Sequence, residues 1–398
     1  MRLAILDGFR GFFLLFMMIA HANAYLDAPL GRVNHHYFGW VEDAQGFVFI
    51  SGLVVALVYA RRLLRKGEAA MREGIGARIR KIYTYHAALI LVFLAWALLL
   101  PLVGIEAEIL AQQAEEPFLF TLASLFLVTG TLHMGILPMY IFFMIATPAV
   151  LVMFNTGRAP VVLAGSVLLW LLAQTGWPDL MQLPLEAAAA EAGHPFNLGI
   201  YFNIFGWQVL FVSGLWIGWL TATGRLDFAR LKTPAMAQVF WIALAAFLVL
   251  GVFDVMAYTG WGDDGWRQMA YAAIDRGNLH ILYVLAFAVD LYLVAWLVVA
   301  GPGSEWRGLS LAGRLIGWLF TREALVRLGQ HSLQIFVAHV VIVYAMSIWA
   351  QGRDEPLAPM AANLALLASI GPLYAVAWLH ERVKTRRALA AAARPTAG

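Results

Sequence analysis

About ten apolar stretches, each near twenty residues, dominate this 398-residue chain. They lie at roughly 9–26, 40–60, 84–104, 136–154, 160–177, 203–222, 236–258, 279–300, 331–350 and 360–379. That is the length a helix needs to cross a hydrocarbon layer about 30 Å thick. Backbone polar groups in lipid must bond within their own segment, so such spans are helical. The sequence therefore predicts an all-α integral membrane protein with about ten transmembrane helices in one bundle. Composition agrees: 13% of residues are charged and the mean hydropathy is +0.75, whereas soluble domains carry about a quarter charged residues. The stretch 119–133 is shorter and is expected as an extra half-helix.

Basic loops stay cytoplasmic. With both termini inside, 23 Lys and Arg fall on the cytoplasmic side and four (Arg32, Arg267, Arg276, Arg353) outside. Shifting the topology by one span would destroy that split. The outer loops are acidic, with Glu106, Glu108, Glu115, Glu116, Asp263 and Asp264. The setting expected is a bacterial inner membrane crossed many times. Residues 9–20 followed by Ala20-His21-Ala22 imitate a signal peptide, but Asp7 in the n-region and the charge split favour a retained first span. The longest loop expected is 61–83. The chain is expected to form one domain over 1–387, with a disordered cytoplasmic tail at 388–398. A net charge of +3 without a clustered basic face argues against nucleic-acid binding. The absence of cysteine removes thiolate nucleophiles and thiolate metal sites.

Ionisable residues inside spans are candidates for function because hydrocarbon makes them costly. Asp7 and Arg10 lie three apart at the entrance of the first span and can pair. His21 follows Arg10 by three turns on the same face, roughly 16 Å deeper. Imidazole there suits proton transfer near neutral pH, although snorkelling of Arg10 and simple packing of His21 are the plainer readings. The third span opens with Arg78 and Lys81 on one face and His86 about two turns further in. Cations at a rim and an acid–base group below suit an anionic ligand, and a stop-transfer cluster is the alternative.

Ahead of the second span, His35, His36, Glu42 and Asp43 crowd an outer loop. The His-His pair lacks the HExxH context of a metal site, so no metal is expected, and a solvated interfacial loop is the simpler account. His339 lies within the ninth span and His331 at its edge, while His133, His194, His280 and His380 read as structural. Trp207 and Gln208 suit carbohydrate as well as packing. Phe49-Ile50-Ser51-Gly52-Leu53 echoes Phe211-Val212-Ser213-Gly214-Leu215, which small residues at helix contacts explain without duplication.

Leu6-Asp7-Gly8-Phe9-Arg10-Gly11 with His21, Phe47-Val48-Phe49-Ile50-Ser51-Gly52, and Leu328-Gly329-Gln330-His331-Ser332-Leu333 with His339 together resemble the acyltransferase-3 superfamily. Glu42-Asp43-Ala44-Gln45-Gly46, Leu137-Pro138-Met139-Tyr140 and Phe205-Gly206-Trp207-Gln208 are similar to blocks of the OpgC family of periplasmic glucan succinyltransferases. The superfamily's second basic motif is often R-x-x-R. Here Lys81 replaces the second Arg and cannot make its bidentate contact.

The resemblance implies transfer of an acyl group, succinyl in that family, from a cytoplasmic coenzyme A thioester to a periplasmic glucan hydroxyl. No tightly bound cofactor is implied; succinyl-CoA is a co-substrate. His21, as general base or as carrier of the acyl group, would be catalytic with Asp43, His35 and His339. Asp7, Arg10, Arg78, Lys81 and His86 would bind the donor, and His36, Glu42, Trp207 and Gln208 the acceptor. A polytopic secondary transporter of an anionic or sugar solute is the rival reading, though the paired interrupted helices common in transporters are not evident. An intramembrane serine protease would need a G-x-S-G element, and Phe49 stands where its first glycine belongs.

Overall fold

A computed structural model describes residues 4–35, 39–130, 133–194, 197–199, 201–259, 269 and 274–392. Among these the regular structure is helical, with one isolated bridge between Thr129 and Gly199. Eight helices of the described residues are long and apolar enough to cross a membrane. They are α1 (Ala4–Leu26), α2 (Asp43–Leu99), α5 (Ile136–Asn155), α8 (Ile204–Ala222), α9 (Pro234–Thr259), α10 (Ile281–Val299), α13 (Ser332–Gln351) and α14 (Pro359–Ala392). Shorter helices lie between them: α3 (Ala111–Glu115), α4 (Pro117–Leu125), α6 (Ala159–Ala173), α7 (Leu183–Glu191), α11 (Arg307–Leu319) and α12 (Glu323–Gln330).

Two of the apolar stretches belong to α2. Its 57 residues are interrupted at Gly67, whose φ of 84° an L side chain rarely adopts. Tyr59 Oη donates to the Gly74 carbonyl at 3.2 Å, and Arg62 Nη2 lies 3.4 Å from Glu73 Oε2. Residues fifteen apart on a straight helix would be about 22 Å apart. The chain therefore folds back at Gly67 into a helical hairpin with arms 43–66 and 68–99. The expected loop at 61–83 is a correction: it is helical on both sides of Gly67. Its Ala, Arg, Lys, Glu and Met residues are strong helix formers, so the helix continues where the apolar run stops. All ten stretches are helical, α6 being shorter than a full span. Among the described residues of 119–133, the end of the nine-residue α4 is the only helical part.

The chain divides into two compact units, 1–34 with 318–398 and 35–317. In the larger unit the first arm of α2 packs on α8. A Cβ at Gly52 would strike the Phe211 carbonyl, and one at Gly214 the Phe49 carbonyl. The two echoing Ser-Gly segments are thus each other's contact surface, because only glycine lets the backbones approach this closely. In the smaller unit α1 lies against α12, α13 and α14. Leu14, Met18, Ile335, Phe336 and Val340 are its buried core. The helix α14 runs through Ala392, past the expected start of the tail at 388; 393–398 lie outside the described residues, as do His36, Asp263, Asp264 and Arg267.

Candidate functional site

In the smaller unit a line of polar side chains connects α1 to α13. Gly11 and Gly329 carry no Cβ where α1 meets α12, since one would collide with backbone there. That contact brings Arg10 to the first turn of α13, where its Nη2 donates to Ser332 Oγ. Arg10 Nη1 also lies 3.8 Å from Asp7 Oδ1, and both side chains are almost wholly buried. Further along, His21 Nδ1 is 3.1 Å from His339 Nε2. Arg10 and His21 thus both face α13.

The tautomers follow from one fixed acceptor. His339 Nδ1 lies 2.9 Å from the Phe336 carbonyl, which can only accept. His339 Nδ1 is therefore the protonated nitrogen and, in the neutral ring, Nε2 carries the lone pair. His21 Nδ1–H then donates to His339 Nε2, which leaves the basic lone pair of His21 on its own Nε2. A backbone carbonyl, a buried imidazole and a second imidazole make a directed chain of the kind that orients a general base. His331, expected at an interface, is buried, and its Nδ1 lies 2.9 Å from Nδ1 of His380. No local pattern pairs these two, because 49 positions separate them.

In the larger unit the start of α2 is a second polar centre. Glu42 caps α2 in a reciprocal box with Gln45, which satisfies two otherwise orphaned backbone donors. Gln45 also donates to the Tyr283 carbonyl at 2.9 Å. Asp43 is buried, and His35 Nε2 lies 3.5 Å from its Oδ1. Arg276 Nε lies 2.7 Å from Glu42 Oε1. Burial, the largest single influence, would lower the Arg276 pKa, but Glu42, Tyr283 and Tyr201 together outweigh it and hold the guanidinium more firmly charged than usual. Asp254 accepts from the Gly39 N–H at 2.9 Å. Neither Arg276 nor Asp254 was singled out from the sequence. Asp254, like Asp290 in the middle of α10, is a carboxylate inside an apolar stretch, and the rule that singled out His21 applies equally to both.

Other expected site residues have different surroundings. His86 Nε2–H donates to the Ser124 carbonyl at 3.0 Å, and Tyr83 Oη to the Leu125 carbonyl at 3.1 Å. Both carbonyls lie at the C-terminus of α4, where that of Ser124 also accepts from the Leu127 N–H at 3.0 Å. Lys81 is exposed and Arg78 half-buried. Trp207 Nε1 donates to the Arg276 and Gly277 carbonyls at 3.3 and 3.0 Å. Gln208 bonds the Ser166 backbone and hydroxyl at 2.7 and 2.6 Å. Both are buried and knit the unit together. Among the described residues no three His, Asp or Glu side chains gather as metal ligands.

A family model described as OpgC protein matches residues 2–385. No curated protein and no solved structure matches the chain. With a family match over nearly the whole length and eight membrane-length helices, the chain belongs to the OpgC family, multi-pass membrane transferases that place acyl groups on periplasmic glucans.

Proposed function

We propose that this protein transfers a succinyl group from cytoplasmic succinyl-CoA to a hydroxyl of a periplasmic glucan, with His21 as the general base. The enzyme sits in the bacterial inner membrane with both termini in the cytoplasm, the orientation favoured by the 23-to-4 division of cations. The observation that carries the reading is the chain Phe336 carbonyl–His339–His21, which leaves a lone pair on His21 Nε2. The glucan hydroxyl gives its proton to that nitrogen as its oxygen bonds the thioester carbon. The C–S bond then breaks, and the proton passes from His21 to the departing thiolate. His339 positions His21. Asp7 and Arg10 bind the donor's anionic groups. On the acceptor side the half-exposed His35, backed by the buried Asp43, offers a second oriented imidazole, and Glu42 a carboxylate for sugar hydroxyls.

Mass spectrometry of periplasmic glucans tests this, using cells that lack the protein, cells with wild type and cells with His21→Ala, alongside membranes supplied with radiolabelled succinyl-CoA. Succinylated glucan and label transfer in wild type, both lost with His21→Ala at normal membrane levels, are expected. Wild-type-like glucan charge in His21→Ala removes His21 from the mechanism. Uptake of a solute without label on glucan favours transport instead.

A further inference from the structure

The segment 275–280 is tied down more heavily than an exposed connection requires. Trp170 Nε1 donates to the Leu279 carbonyl at 2.9 Å and Gln174 Nε2 to the Asn278 carbonyl at 2.8 Å. Trp207 Nε1 holds the Gly277 carbonyl, and Asn203 Nδ2 reaches Asn278 Oδ1 at 2.7 Å. Within the segment, Asp275 accepts from the Gly277 N–H at 2.7 Å. The platform so fixed presents the side chain of Arg276, which remains 46% exposed even though Glu42 binds its Nε. The phenols of Tyr201 and Tyr283 lie near enough to feel the guanidinium's charge, and the Tyr201 backbone packs against Gly277. Tyr201 is itself 45% exposed.

We infer that Arg276, Glu42 and Tyr201 form a subsite for a neutral sugar ring of the glucan acceptor. The inference rests on the acceptor named above and gives it a place within the larger unit. A pyranose offers vicinal hydroxyls that act as donors and acceptors, and a C–H face that is apolar. The planar fork of Arg276 supplies several N–H donors in fixed geometry, and the Glu42 carboxylate supplies acceptors. The exposed phenol of Tyr201 supplies an aromatic face and a hydroxyl. Each group is held before ligand arrives, so little ordering cost falls on binding. An ion pair serving only to fasten 275–280 to α2 would be redundant beside the four side chains that already hold that segment. Trp207 and Gln208, expected to touch the sugar, instead build the support beneath it.

The test is binding of unacylated periplasmic glucan to the full-length protein in detergent, without acyl donor. Arg276→Ala and Tyr201→Ala are each expected to weaken it at least ten-fold. Arg276→Lys, which keeps the charge and loses the fork, is expected to resemble Arg276→Ala, and Tyr201→Phe to retain part of the affinity. Thermal melting identifies any variant that is misfolded, and Arg276→Lys and Tyr201→Phe are the fallback pair. Wild-type affinity in both alanine variants, or no glucan binding by wild type, overturns the inference. Because no donor is present, the outcome is separate from that of the proposed transfer. Glucan binding that weakens as expected stands even where no acyl group moves, and acyl transfer with unaltered binding in the variants sinks only the subsite.

Discussion

Replacing His339 gives the sharpest test of how His21 is made basic. His339 is fully buried, and its two ring nitrogens have opposite tasks: Nδ1 donates to the Phe336 carbonyl and Nε2 accepts from His21 Nδ1. In His339→Leu the imidazole of His21 loses the acceptor that fixes both its ring orientation and its tautomer. A buried hydrogen bond of this kind is worth about 1–3 kcal/mol when one partner is left unsatisfied. At 1.36 kcal/mol per decade, the transfer rate should fall about 5- to 150-fold, while His21→Ala removes it. His339→Gln keeps an amide oxygen that can accept from His21, and should recover part of the rate. In the double variant His21→Ala/His339→Leu the losses should not add, since His339 acts through His21. Initial rates of label transfer in membranes containing matched amounts of protein measure all four variants. A His339→Leu rate within two-fold of wild type refutes the relay.

Other variants test the packing and the reassigned residues. Gly214→Leu forces side-chain atoms into the Phe49 carbonyl. Overpacking of this kind should cost about 1–3 kcal/mol or more, seen as a lowered melting temperature in detergent, whereas a melting curve matching wild type contradicts the close contact of α2 with α8. His86→Ala should destabilise the protein by about 1 kcal/mol through the lost hydrogen bond to the Ser124 carbonyl, with the KM for acyl-CoA unchanged; a raised KM with unaltered melting restores a donor role for His86. Burial lowers the pKa of His133 from 6.5 to about 4. Between those values the unfolded chain binds the proton more readily, so the stability that His133 contributes is complete above about pH 6.5. It is lost as pH falls toward 4, by at most about 3 kcal/mol. His133→Gln should flatten the melting profile across that window, and an unchanged acid slope contradicts the assignment.

Helix positions were readable because apolar length and lipid thickness are local matters: each stretch announces itself without reference to any other. The three-turn spacing of Arg10 and His21 placed both on one face of α1 for the same reason. Charge in the 61–83 segment concealed its helix, since hydropathy measures affinity for lipid and not helix propensity. What local pattern cannot express is the choice of partner. His21 meets His339 across 318 positions and Arg10 meets Ser332 across 322, so the tautomer of the proposed base depends on a carbonyl in a helix near the other end of the chain. His86 and Trp207 looked equally suited to ligands and to packing until their acceptors, the carbonyls of Ser124 and Gly277, were in place. Arg276 looked like a stray outer cation until Glu42 was beside it. The sequence by itself determined that the chain spans a membrane as helices and where chemically able side chains sit along each one. Only the tertiary structure decided which of those side chains are consumed by holding the protein together, because a hydrogen-bonding group commits to the partner that folding brings within about 3 Å.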